Sequence, residues 1–225
     1  MKVNCLLKDA AGKINGVHAV DTLDGKEYQI KSKVVVNATG VFVDDVMKMD
    51  ECDTRRKVRP SQGVHLVVDS KFLGGRSALM IPKTKDGRVL FGVPWHGKVV
   101  LGTTDTPLNE ASLEPRALEE EVDFILDQAG QYLDRKPTRA DVLSIFAGLR
   151  PLAAPTHADS KKTKEISRNH KIYRSKSGLL TITGGKWTTY RAMAEDVINQ
   201  AIVIGGLSPA ECVTKNLRVH GYTKE

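Results

Sequence analysis

Residues 178–191 read Gly-Leu-Leu-Thr-Ile-Thr-Gly-Gly-Lys-Trp-Thr-Thr-Tyr-Arg, and no other stretch restricts the fold as tightly. Leu179, Leu180 and Ile182, with β-branched Thr181 and Thr183, predict a buried strand over 179–183. Gly184 and Gly185 permit a sharp turn and close approach of backbone to a ligand. A helix follows, with Thr188 or Thr189 as N-cap, and Tyr190, Met193, Ala194, Val197, Ile198 and Ala201 recur at the spacing of a buried face. Strand, glycine pair and helix start aim backbone N–H groups and a positive dipole end at one point, to which Lys186 adds a charge. That point suits an anion. It is not a nucleoside-triphosphate loop, because Leu180 and Trp187 stand where that motif needs Gly and Ser or Thr. The plain structural reading is a strand-to-helix connection whose glycines only make the turn.

A chain of 225 residues, 40% hydrophobic and 27% charged, has enough apolar surface for one large domain or two small ones. No apolar run approaches a membrane span, and the first residues lack the hydrophobic region of a secretory signal. Lone cysteines at 5, 52 and 212 form no C-x-x-C pair, which points to a reducing, cytoplasmic setting without a disulfide framework or a metal site. The net charge of +7 is uneven: 110–127 is acidic, whereas Lys161, Lys162, Lys164, Arg168, His170, Lys171, Arg174 and Lys176 crowd one segment. Such a cluster attracts anions, but neither zinc-finger spacing nor a ribonucleoprotein aromatic motif accompanies it, so nucleic acid is not the expected partner.

Alternating residues predict a strand meander over 3–38, with Asp24-Gly25 as a hairpin turn and Val34-Val35-Val36 as a strand buried on both faces. That run ends in Asn37-Ala38-Thr39-Gly40 before a helix over about 43–49, an arrangement that places ligands at strand C-terminal ends. In 64–68, His65 lies on the opposite face from Val64, Leu66 and Val68. Segments 64–68, 78–82, 88–93 and 99–105 predict a largely antiparallel sheet of about four strands. An amphipathic helix over 115–133 has Pro115 in its first turn and Leu118, Val122, Ile125, Ala129 and Tyr132 on its apolar side, with Glu119, Glu120 and Glu121 favouring its N-terminal end. A strand over 141–147 leads to Arg150, where Pro151 is expected to end regular pairing. A further strand is expected over 165–174, and 205–225 shows little pattern.

Six stretches in order resemble the FAD-dependent glycerol-3-phosphate dehydrogenases of the bacterial respiratory type. They are Val36-Asn37-Ala38-Thr39-Gly40, Arg59-Pro60-Ser61-Gln62-Gly63-Val64-His65, Gly102-Thr103-Thr104-Asp105, Gly148-Leu149-Arg150-Pro151-Leu152, Ile166-Ser167-Arg168 and 184–191. The resemblance implies a mixed α/β chain: a partial FAD-binding Rossmann-like domain plus an antiparallel-sheet substrate-binding cap. It places the FAD-binding part at 1–56, the cap at 57–142, the remaining cap strands and the return at 143–204, and a linker at 205–225. The family's opening G-x-G-x-x-G spacing occurs nowhere here, so the chain resembles an internal segment that alone is not expected to retain FAD or turn over.

The family oxidises sn-glycerol 3-phosphate to dihydroxyacetone phosphate by hydride transfer to FAD and passes the electrons to quinone. By resemblance, Arg150, Arg168 and Lys186 match substrate positions, where a buried phosphate needs cations. His65 matches a position lining the substrate and is the candidate base, with Arg150 beside it in the catalytic set. Thr39, Gly40, Gly148, Gly184, Gly185, Lys186, Trp187 and Thr188 match cofactor-binding positions. Peripheral attachment to the inner face of the cell membrane is likewise implied by resemblance alone. Two other readings stay open: a related amine- or amino-acid-oxidising flavoenzyme, and a non-catalytic module binding an anionic partner through 161–176.

Overall fold

Alternation near the start of the chain produces an antiparallel meander of β1 (Lys2–Lys8), β2 (Ile14–Val20) and β3 (Glu27–Lys31) in the computed structural model, which describes residues 1–85, 87–154 and 169–223. Asp9 makes the first turn by accepting from the backbone N–H groups of Ala11 and Lys13, both at 2.9 Å. The valine run yields only a short strand, β4 (Val36–Asn37), followed by α1 (Val43–Asp50). Asp44 and Asp45 occupy the first turn of α1, where the helix dipole favours negative charge. The buried Asp44 carboxylate also accepts from Lys57 N (2.8 Å) and Val58 N (3.1 Å), which fixes the point where the chain enters the next strand.

That strand, β5 (Val58–Asp69), is far longer than the alternation over 64–68 indicates. It joins β6 (Leu79–Ile81), β7 (Leu90–Trp95), β8 (Lys98–Gly102) and β10 (Ser144–Ala153) in the order β10-β5-β8-β7-β6, and β9 (Thr106–Pro107) also pairs with β5. The sheet thus has six strands instead of about four. One face carries Val64, Leu66, Val68, Leu90, Val99 and Leu101, all fully buried, and α2 (Glu119–Gly130) packs there through Val122, Ile125, Leu126 and Ala129. Pro115 lies before α2 and not in its first turn. Leu118 is the N-cap and Tyr132 is exposed, so the apolar stripe is shorter than its periodicity suggests.

Pro151 does not end the pairing of β10, which continues to Ala153. Among the described residues the strand is the outermost of its sheet, where a residue without an N–H costs no central ladder bond.

After residue 168 come β11 (His170–Arg174), β12 (Leu180–Gly184) and α3 (Tyr190–Gly205); the expected strand portion 165–168 lies outside the described residues. Strand β12 runs antiparallel to β11 and parallel to β4. Helix α3 covers this sheet with Met193, Val197, Ala201 and Ile204, against Leu180 and Ile182. Tyr190, Ala194 and Ile198 are exposed, contrary to the broad face expected, because a stripe at this spacing follows only one narrow line of the helix. Gly206, in the left-handed conformation at φ 56°, terminates α3. The meander, α1 and Leu179 share a separate apolar cluster through Leu6, Ile14 and Met47.

The chain divides into two compact units, Met1–Val58 with Pro151–Glu225, and Arg59–Arg150. No helix among the described residues is long and apolar enough to cross a membrane.

Candidate active site

In the second unit, alternation along β5 directs Gly63 and His65 to the face opposite the Val64–Leu66–Val68 core. Arg150, on β10, lies over this face. Its Nη1 donates to the Thr104 carbonyl (3.1 Å) and its Nη2 to Thr103 Oγ1 (2.9 Å). The guanidinium is also 3.6 Å from Asp105 Oδ1, which accepts from Ser61 Oγ. A Cβ at position 63 would come within 2.2 Å of Arg150 Nη2, so glycine there lets the guanidinium lie flat on the strand. Gly102 does the same for His65, its cross-strand partner, since a Cβ there would fall 2.4 Å from the imidazole Cδ2. Phe146 stacks on that imidazole at 4.9 Å with an interplanar angle of 12°.

Burial, helped by the Arg150 charge, pushes the His65 pKa below the ordinary histidine value. The ring is therefore neutral near pH 7 and able to accept a proton. As pH falls, the unfolded chain takes up this proton before the folded one does. The His65 contribution is thus fully present above the ordinary value of 6.5 and is lost as pH falls through the lower folded-state value. An NMR titration of the His65 ring should show a midpoint below that of a free histidine; a midpoint above it would refute the neutral-base assignment.

In the first unit, β4 and β12 run parallel, and their C-terminal ends carry Thr39-Gly40 and Gly184-Gly185-Lys186. Gly40, Gly184 and Gly185 have φ of 62°, 78° and 75°, a region that favours glycine. Asn37 braces the first turn: its Nδ2 donates to the Val43 carbonyl (2.9 Å) and Thr181 Oγ1 (3.2 Å), and its Oδ1 accepts from Thr39 Oγ1 (2.8 Å). Asn37→Ala should destabilise this unit by about 1–3 kcal/mol, because a buried carbonyl loses its donor. Hydrogen exchange of the Leu180 and Thr181 amides measures it, and unchanged protection would contradict the brace.

Lys186, Trp187 and Thr188 are exposed, and Trp187 stacks on Tyr190 at 5.5 Å. Thr189 occupies the N-cap position of α3, and its Oγ1 accepts from Lys186 N (3.1 Å) and donates to Lys186 O (2.9 Å). Thr183 Oγ1, just before the glycine pair, is buried without a hydrogen-bond partner among the described residues. Left-handed glycine turns at the carboxyl ends of neighbouring parallel strands, beside an orphaned hydroxyl and a lysine, fit a phosphate-bearing cofactor.

The predicted residues thus fall into groups. His65 and Arg150 share one sheet face, with Gly148 two residues from Arg150 on the same strand. Thr39 and Gly40 join Gly184, Gly185 and Lys186. Arg150 and Lys186 belong to different units, and Arg168 lies outside the described residues, as do Lys161, Lys162 and Lys164. No cluster of metal-ligating side chains occurs among the described residues. Sequence reasoning named Gly63, Gly102, Thr103, Thr104 and Asp105 only as motif members; their service to Arg150 and His65 depends on cross-strand register.

A family model described as "FAD dependent oxidoreductase" (DAO) matches residues 2–191, and the chain belongs to this family. It is 46% identical over 220 residues to a mitochondrial glycerol-3-phosphate dehydrogenase of Arabidopsis thaliana, covering 97% of this chain and 34% of that protein. Among solved structures, the glycerol-3-phosphate dehydrogenase of Bacillus halodurans complexed with FAD superposes with a TM-score of 0.80 at 37% identity, over 93% of this chain and 40% of that one. A glycine oxidase of Bacillus cereus, at 18% identity and a TM-score of 0.55 over 91% of this chain and 48% of that one, shares the fold. The chain spans about a third of the length of the curated relatives it matches.

Proposed function

We propose that this chain is the substrate- and flavin-facing part of an FAD-dependent dehydrogenase that oxidises sn-glycerol 3-phosphate to dihydroxyacetone phosphate. The observation that carries the reading is a braced guanidinium beside a neutral imidazole on one sheet face, in a chain 46% identical to a glycerol-3-phosphate dehydrogenase. Arg150 binds the phosphate as a charge-assisted partner. His65 accepts the C2 hydroxyl proton as hydride leaves that carbon, so the neutral ring is the competent state. FAD, when bound, supplies the hydride acceptor. Thr39, Gly40, Gly184, Gly185, Lys186, Trp187 and Thr188 would hold it through backbone and charge. Assignment of Arg168 and Lys186 as further substrate cations, of quinone as electron acceptor and of peripheral membrane attachment rests on the resemblance.

The test joins this segment to the remainder of a family flavin domain and follows flavin bleaching without an acceptor. Glycerol 3-phosphate should bleach the flavin and glycine should not. Bleaching by glycine alone would sink the reading in favour of an amine oxidase.

A further inference from the structure

Three groups that touch the Arg150 guanidinium, Thr103 Oγ1, Thr104 O and Asp105 Oδ1, belong to one short segment between β8 and β9. Besides the β5–β9 pairing and the Ser61–Asp105 bond, a carboxylate on the other side of the sheet holds that segment. Glu121, in the first turn of α2 and 3% exposed, accepts at Oε1 from Thr104 Oγ1 (2.9 Å) and Thr106 Oγ1 (2.6 Å). At Oε2 it accepts from Gln62 Nε2 (2.6 Å) and from Leu118 N (3.0 Å). Thr104 Oγ1 in turn accepts from Val64 N (3.0 Å), one residue from His65. A single buried anion therefore ties β5, the β8–β9 connection and the start of a helix together.

We propose that Glu121 is a positioning residue for Arg150: it clamps the 103–106 segment so that the guanidinium is presented on the site face in one fixed place. Burial works against its ionisation, but the hydrogen bonds from Leu118, Thr106, Gln62 and Thr104 outweigh that and keep the carboxyl below its ordinary range, so the clamp is anionic at neutral pH. Glutamine weakens it. With its one oxygen kept toward Gln62 Nε2 and Leu118 N, its uncharged NH2 faces the Thr104 and Thr106 hydroxyls, which must then turn from donating to a carboxylate to accepting from an amide. The inference rests on the reading of Arg150 as the anion contact, but its test needs neither substrate nor flavin.

The test reads the His65 ring by NMR titration in the 225-residue chain, because Arg150 is the charge that acts on that ring. Two effects of Glu121→Gln have opposite signs. Removing a negative charge directly would lower the His65 midpoint, whereas letting Arg150 drift away raises it. Glu121→Gln should raise the midpoint, and Arg150→Ala should raise it at least as far. Adding Glu121→Gln to Arg150→Ala should then raise it no further, and only the direct loss of negative charge, which lowers it, remains. An unchanged or lowered midpoint in Glu121→Gln would overturn the proposal, as would an equal further rise on the Arg150→Ala background. Should Glu121→Gln fail to fold, the near-isosteric Thr104→Val cuts the same link from the other end and must meet the same criteria. Failure of glycerol 3-phosphate to bleach the flavin would leave this outcome untouched, which separates the two claims.

Discussion

Arg150→Ala is expected to weaken glycerol 3-phosphate binding by about 1.5–3 kcal/mol, roughly one to two orders of magnitude in Kd, as for loss of one charge-assisted contact. The measurement belongs in the longer, flavin-loaded polypeptide, with binding followed by calorimetry. The loss should not be recovered by lysine. A point charge cannot span Thr103 Oγ1 and the Thr104 carbonyl as the two guanidinium nitrogens do. The fold should survive the alanine variant, since the side chain is about a third exposed and sits outside the apolar cluster. An unchanged affinity would remove Arg150 from the site whatever its motif suggests.

Leu66→Ala carries the largest expected cost to stability, about 2–5 kcal/mol. Leu66 is fully buried on β5, opposite Leu101 in register, beneath the helix that carries Val122 and Ile125. Truncation leaves a cavity that neighbours on a hydrogen-bonded sheet can only partly close. Two compact units make a single unfolding free energy ambiguous, so the readout should be hydrogen exchange at the Leu101 amide. A loss well under 1 kcal/mol there would show that the packed face is not what holds this unit together.

Much of this is legible in the sequence. Period-two alternation located the meander and placed His65 on the face away from Val64, Leu66 and Val68, because side-chain direction along a strand is local geometry. The strand over 179–183, the glycine turn and the helix after it likewise follow from short-range chemistry. Lengths were less legible. Pro151 reads as a stop unless one knows that its strand is outermost, and the apolar residues of α3 outnumber those that touch the sheet. The bracing of Arg150 was illegible for a different reason. Its partners stand 46 and 47 residues earlier, and only strand register brings them together. Glu121 shows the same limit. A glutamate in a first turn satisfies the helix-dipole rule so well that nothing in the sequence marks it as buried and four times hydrogen-bonded.

The chain leaves its first unit at residue 58 and returns at 151, and the flanking residues Lys57 and Ala154 are joined by a backbone hydrogen bond of 2.7 Å. Departure and return therefore share one doorway. A stretch bounded in this way behaves as a cassette: excising 59–150 and sealing the gap with a short turn would leave the flanking polypeptide continuous and unstretched. Recombination at that doorway would exchange one insert for another while the flanking chain ends stay side by side.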